Sequence, residues 1–334
     1  MKIFVLNKKT ISFNFFIKIF LILFIIFLMI YSESNIAAIN KSTTLFITKI
    51  FPSLFPFFVA INLLIHTNLI ATLDKHLSYI MINVFNVPGS GSLPFIMGLL
   101  SGYPTGAKII SEYRKNNICS KTDCERLLAY TNNSSPLFIV GSVGTSMFLN
   151  KNIGFLLLFI HMLSTITVAI IFRFYKYNEK RNSSTYNEIV FSNISQILSD
   201  AIMNSIKTLV IILGYIILFS LIINIIIESN LLTLLNNLPN SDLFKATLLG
   251  SLEITSGINA LSIIKVKTLY YPIILTSFLL GLGGFSVFMQ IYSIISQTDL
   301  SIKPYIVGKL MQAIFSVMYI IIFLNVFTSF NFAI

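Results

Sequence analysis

Ser101-Gly102-Tyr103-Pro104-Thr105-Gly106-Ala107-Lys108 and Thr131-Asn132-Asn133-Ser134-Ser135-Pro136 are two polar, helix-breaking clusters within an otherwise apolar stretch, residues 88–150. Inside a bilayer an unpaired backbone amide or carbonyl group costs several kcal/mol. Irregular backbone therefore persists there only where it is buried in protein or lines a water-filled cavity. Broken membrane helices of this kind are typical of a transport or binding site.

Composition places the chain among polytopic membrane proteins. Apolar residues make up 55% of the 334 positions and charged residues only 10%, and several runs exceed the roughly 18 apolar residues that mark a spanning helix. The formal charge is +11, but most basic residues lie at the ends of apolar segments or between them, as membrane anchors do. The sequence therefore predicts contact with membrane lipid and no nucleic-acid partner.

The pattern of reactive side chains argues against an enzyme. No nucleophile, base and orienting group occur at usable spacing, and Cys119 and Cys124 match no zinc or redox motif. We therefore expect no metal site and no cofactor. An ATP-binding loop is also missing from the sequence, so energy for transport would come from a Na⁺ or H⁺ gradient or from a partner.

The order of apolar segments predicts an all-α protein with about eight membrane segments. Residues 1–44 are expected to form an N-terminal anchor helix and an amphipathic connector, 45–176 a first half, 177–200 a polar linker and 201–334 a second half. Ordinary spanning helices are predicted at 153–175, 209–227 and 304–327. Basic residues before the first helix and in the loop 108–126 predict that both the N-terminus and this loop are cytoplasmic.

Two further interruptions occur in the second half, at 250–257 and 281–290. Gly106 and Pro136 are 30 residues apart, and Gly257 and Gly284 are 27 apart. Corresponding breaks in two halves indicate an internal, inverted repeat with a binding site near the midplane of the membrane. Glycines are also frequent in membrane helices that have no such role.

These clusters resemble the YlbJ-type sporulation integral membrane proteins, whose core is a nucleoside-recognition or gate domain. The resemblance implies a role in endospore formation and in building the spore cortex, and a fold distantly similar to concentrative nucleoside transporters. Phe288 departs from the family pattern, in which a histidine is typical. The matching stretches occur in the family's order from about residue 45 to residue 325: 54–58, 87–91, 98–108, 131–138, 253–257 and 283–290.

Candidate residues for binding a substrate or ion lie in all four interruptions. A carboxylate buried in the membrane costs at least about 2.5 to 3.5 kcal/mol unless it is paired, protonated or in contact with water. Glu253 therefore has two interpretations: it binds a cation or a substrate, or it forms an ion pair with Lys207 or Lys108. The candidates are Gly102, Pro104, Gly106, Lys108, Asn132, Asn133, Ser134, Glu253, Thr255, Gly257, Gly284, Ser286 and Gln290.

Each of the remaining polar candidates also has a structural interpretation. Asn132, Asn133 and Ser134 either present amide and hydroxyl groups to a ligand or cap a helix at the membrane interface. Gln290 either forms hydrogen bonds with a polar solute or forms a hydrogen bond with a neighbouring helix. Lys108 is expected to extend to the membrane interface rather than into a site.

Two functions from different classes follow. The first is a secondary transporter, or a relative of one, for an unidentified small polar solute in a cell membrane of the sporulating cell. The second is a non-transporting scaffold that recruits a partner during cortex assembly. A homo-oligomer or an association with other sporulation membrane proteins is compatible with either function.

Overall fold

The computed structural model describes residues 8–65, 69–177, 194–264 and 270–328, and within these ranges the chain is all-helical. Of the predicted linker, residues 178–193 lie outside the described residues. The helices are α1 (Lys8–Ile30), α2 (Ser32–Leu45), α3 (Phe51–Ile65), α4 (Leu69–Phe85), α5 (Ser92–Leu100), α6 (Thr105–Lys115), α7 (Lys121–Leu128), α8 (Lys151–Phe172), α9 (Ile194–Glu228), α10 (Ser241–Leu252), α11 (Ile254–Ile263), α12 (Tyr270–Leu282), α13 (Gly284–Ile295) and α14 (Lys303–Thr328). A π-helix, Leu137–Met147, joins α7 to α8.

The number of membrane spans follows from helix length and composition. Among the described residues four helices are long and apolar enough to cross a membrane, or up to six if each of two bent pairs is one span. The polytopic all-α class is thereby confirmed. The count lies below the eight or so segments expected, because apolar stretches such as α5 and α11 form helices of 9 and 10 residues, shorter than the roughly 20 that a crossing requires.

Bonds between loops define one end of the bundle, called here the basic face. Arg114 donates to both carboxylate oxygens of Asp299, at 2.6 and 2.8 Å, and holds the pKa of Asp299 below its usual range. The Tyr175 hydroxyl donates to Glu125 at 2.9 Å. These bonds bring the loops 116–120, 173–177 and 296–302 to the same end of the molecule.

Within the first half, the run of elements from α5 to α8 starts and ends at the basic face. Ser90 Oγ lies 3.3 Å from Cys119 Sγ, so α5 and α6 form a hairpin whose two ends are at this face and whose tip, residues 101–104, lies inside the bundle. From the basic face, α7 enters the bundle and is interrupted at 131–136. The π-helix continues toward the opposite face, and α8 returns.

The second half uses the same order of elements in the opposite direction. α10 and α11 form a hairpin with its tip at Glu253. α12 begins near the far end of α14, where the Tyr270 hydroxyl donates to Asn325 Oδ1 at 3.4 Å. It is interrupted at Gly283, and α13 continues to the basic face. A hairpin, a broken helix and a spanning helix thus occur twice with opposite directions, which is consistent with an inverted repeat.

α2 and α3 lie antiparallel to α9 and form a wall beside the hairpins. Hydrogen bonds join the two sides along their length: Asn224 to Asn35 at 3.0 Å, Ser42 to Ser220 at 2.6 Å, and Asn62 to Ser205 at 3.1 Å. Polar bonds of this kind hold helices together where lipid provides no hydrophobic driving force.

Candidate functional site

The two interruptions of the first half interlock. Tyr103 N donates to Asn133 O at 2.8 Å, and Ala107 N donates to Asn132 Oδ1 at 2.7 Å. The second cluster therefore caps the first turn of α6 and satisfies backbone groups that the break would leave unpaired. Gly102 has φ +84°, which L-residues rarely adopt.

The two interruptions of the second half also lie against each other. Glu253 is the N-cap of α11, where its carboxylate accepts from Thr255 N at 3.0 Å and from Ser256 N at 2.7 Å. A Cβ atom added to Gly284 would lie 3.2 Å from Gly250 O, and one added to Gly257 would lie 2.0 Å from the Gly250 Cα. Glycine at these positions allows the backbones of the hairpin and of α13 to meet.

All four interruptions contribute to one cavity of about 530 Å³, called here the central cavity. Its apolar walls come from α2, α3, α9 and the π-helix. Glu253 is the single charged side chain among its lining residues, and it is half-buried. The interruptions contribute Ser101, Gly102, Tyr103, Ser135, Glu253, Thr255, Ser286 and Gln290. The structure therefore brings the four interruptions together, as the sequence predicts.

Of the candidate residues, Gly102, Glu253, Thr255, Ser286 and Gln290 line the central cavity. Three candidate glycines do not. Gly257 and Gly284 lie in the backbone contacts just described, and a Cβ atom added to Gly106 would lie 2.4 Å from Thr131 O. At these positions the backbones of the broken elements approach each other closely.

The remaining amide and hydroxyl candidates are not among the residues that line the central cavity. Asn132, Asn133 and Ser134 are at most 2% exposed. Asn133 Oδ1 accepts from Thr165 Oγ1 and from Gln312 Nε2, both at 3.0 Å. Of the two interpretations of these residues, the structural one accounts for the hydrogen bonds described, because a break buried in protein takes its hydrogen bonds from neighbouring helices.

Behind this break lies a buried polar network that joins α8 and α14. Gln312 Nε2 also donates to Thr165 Oγ1 at 2.8 Å, Lys309 Nζ donates to Gln312 Oε1 at 2.7 Å, and Ser134 N donates to His161 Nε2 at 3.3 Å. Lys309 is only 3% exposed. The network fixes the second interruption to two spanning helices.

One expectation for a charged residue is wrong, and one of the two alternatives for Glu253 is not found. Lys108 does not extend to the membrane interface: it is buried, and its Nζ donates to Asn204 O at 3.0 Å and to Thr208 Oγ1 at 2.6 Å. Glu253 forms no ion pair with Lys108 or Lys207 among the described contacts, because its carboxylate caps its own helix. Together with Pro104, Lys108 lines a second, smaller cavity.

Sequence reasoning missed several lining residues. Ser101, Tyr103 and Ser135 belong to the two polar clusters, but which side chains of a cluster face the cavity depends on the turn geometry. Ile212 and Ile216 line the cavity from α9 and carry no polar signal. Phe288, at the family's histidine position, packs between the rings of Phe285, Tyr292 and Tyr305.

Comparisons with known proteins place this architecture in a family. A family model described as gate, nucleoside recognition, matches residues 47–177. The chain is 31% identical over 318 residues to the sporulation integral membrane protein YlbJ of Bacillus subtilis (strain 168), an alignment that covers 87% of this chain and 78% of that protein. The chain belongs to the YlbJ family. No solved structure matches it. Membership in the YlbJ family and the apolar helices together identify an integral membrane protein.

Proposed function

We propose that this YlbJ-family protein is a secondary-transporter-like protein that binds a small polar solute in the central cavity. It moves the solute across a membrane of the sporulating cell and so supports assembly of the spore cortex. The convergence of two hairpin tips and two broken helices on one cavity is the observation that carries this proposal. Transporters built from inverted repeats place their sites at such breaks.

The chemistry of the lining supports a polar solute. Tyr103, Thr255 and Ser286 offer hydroxyl groups, and Gln290 offers both a donor and an acceptor. Apolar walls exclude water around such groups and leave a few polar atoms to set orientation. The cavity volume of about 530 Å³ lies within the range of small-molecule sites, roughly 300 to 1,000 Å³.

Glu253 is the residue that we propose for coupling to Na⁺ or H⁺. Two backbone amides hold its carboxylate at the edge of the cavity, and each oxygen keeps a lone pair for a further partner. Carboxylate, hydroxyl and carbonyl oxygens are the hard ligands that such cations prefer. Within the part of the chain that the structure describes, no acidic side chain other than Glu253 lines the central cavity.

A non-transporting scaffold is the second candidate function. The observation in its favour is that Asn132, Asn133 and the Ser134 backbone are hydrogen-bonded to neighbouring protein groups, as expected of a polar cluster that serves in packing. A scaffold in cortex assembly would bind another sporulation membrane protein or a second copy of the chain. It would not require an accessible cavity.

A thermal-shift screen on purified protein separates these functions. Nucleosides, cortex precursors and divalent acids are each tested with and without Na⁺. A solute that binds the folded state stabilises it by about 2.7 kcal/mol at a hundredfold excess over Kd, and the transporter proposal expects at least one such solute. A protein that no solute class stabilises would favour the scaffold.

A further inference from the structure

A second cavity of about 240 Å³ adjoins the central cavity on the side of the basic face. It lies between α6, α9 and α13. Lys115 and Gln297, which line it, are next to the loops that define the basic face. Lys108, Ser111 and Asn204 line it deeper in the bundle. We call it the inner chamber.

The inner chamber and the central cavity are separated by a single layer of side chains. Gln290 and Ile212 line both spaces, and the adjacent residues Tyr103 and Pro104 line one each. Gln290 is 4% exposed and Ile212 is 3% exposed. The first hairpin tip, α9 and α13 therefore meet at one point, and their side chains close the passage there.

Gln290 is held only weakly in this position. Its described side-chain hydrogen bond is a donation from Nε2 to Ser286 Oγ at 3.4 Å, near the upper limit for such a bond. The side chain has three rotatable bonds, and the spaces on both sides can receive it. Rotation of this side chain would therefore alter the wall between the two spaces.

We propose that the inner chamber is a second site for a polar, hydrogen-bonding solute, and that Gln290 with Ile212 forms the gate between it and the central cavity. This inference rests on the proposed function, since the same solute would occupy both spaces in turn. Lys108 and Asn204 hold the wall of the chamber through their mutual hydrogen bond. Gln290 is then both a ligand on the central side and the moving part of the gate.

Cysteine accessibility from each face of sealed membrane vesicles tests the gate. Lys207→Cys reports on the inner chamber and identifies which face the reagent has reached. Ser142→Cys reports on the central cavity. The native cysteines are buried, so the parent protein gives the background rate with a small impermeant thiol reagent. With Gln290 intact, Lys207→Cys should react from the basic face and Ser142→Cys should not.

Replacing Gln290 by Ala should open the gate. The closed population then falls from most molecules to few, so Ser142→Cys should react about tenfold faster or more from the basic face. Gln297→Ala is the matched control, because Gln297 lines the inner chamber but not the gate. It should leave the rate at Ser142→Cys unchanged.

Two results would contradict the proposal that Gln290 and Ile212 form a gate. One is equally fast labelling of Ser142→Cys from both faces with Gln290 in place. The other is an unchanged rate in Gln290→Ala at a normal membrane level. If that variant does not reach the membrane, Ile212→Ala is measured with the same two outcomes. Labelling requires no transport, so a failed gate is distinguishable from a failed function, which the solute screen detects separately.

Discussion

Glu253 is the residue of the central cavity that we propose for coupling. In Glu253→Gln one oxygen remains to cap α11, and a neutral amide is less costly to bury than a carboxylate. We expect stability to change by no more than about 1 kcal/mol while cortex formation is lost. Cortex formation and membrane protein level are measured together in sporulating cells that carry the variant as their only copy.

Ser251→Ala is the control for that substitution. Ser251 lies two residues before Glu253, and its hydroxyl donates to Thr247 O within α10 rather than lining the cavity. The control should form cortex normally. Normal cortex in Glu253→Gln at normal abundance would remove Glu253 from the site and leave its uncharged polar residues, among them Tyr103, Thr255, Ser286 and Gln290.

At the residue scale, the sequence predicted the segments that line the cavity more accurately than it predicted the individual side chains that do so. Glu253 is recognisable because it is an acid in a glycine-broken apolar segment. Its actual partners are amides of its own helix, and finding them requires knowing that α11 begins at Ile254. Asn133 is bonded to Gln312, 179 positions away, and no local pattern predicts a contact at that separation.

At the scale of elements, the crossing of α10 and α11 depends on glycine. A Cβ atom at Gly257 would meet backbone atoms of Gly250 that cannot move aside, so Gly257→Ala should destabilise the protein by about 1 to 3 kcal/mol or more. Gly214→Ala in α9 is the control, because nothing lies within 4 Å of its added Cβ atom. Thermal unfolding in detergent should show a lower Tm for Gly257→Ala only, since alanine favours helix at position 214.

The buried network is predicted to hold the second interruption in place. Gln312→Ala removes the hydrogen-bond acceptor of Lys309 and one donor to Asn133, and groups left unpaired in a protein interior cost about 1 to 3 kcal/mol each. Gln297→Ala, at an exposed position, should change stability by about 0.5 kcal/mol or less. Equal Tm values for the two variants would contradict a structural role for the network.

The ordinary spanning helices were predictable because length and continuous apolarity mark them. α8 covers Lys151–Phe172 and α14 covers Lys303–Thr328, close to the predicted 153–175 and 304–327, whereas α9 covers Ile194–Glu228 and so begins well before the predicted 209–227. The hairpins were less predictable. From sequence, a segment such as α5 is predicted to be part of a membrane crossing. Only the structure shows that α6 returns the chain to the same face.

For the whole molecule, the orientation in the membrane remains a prediction from the basic residues. In the structure the predicted loop 108–126 comprises most of α6 and α7 and the loop 116–120 between them. That loop, at the basic face, and the N-terminus should be cytoplasmic. Cys119 is buried and therefore a poor reporter, whereas Lys121, the first residue of α7, is exposed beside the loop. Lys121→Cys should react with an impermeant maleimide only after cells are permeabilised. Fast reaction in intact cells would reverse the orientation.

Solute uptake into proteoliposomes tests the central claim, that the four interruptions form a transport site. The solute selected by the thermal-shift screen is loaded inside, and counterflow of labelled solute is followed for the parent protein, Glu253→Gln and Ser251→Ala. We predict saturable uptake by the parent and by Ser251→Ala, and loss of uptake in Glu253→Gln. A solute that binds the parent protein without any counterflow, or uptake that Glu253→Gln leaves unchanged, would contradict it.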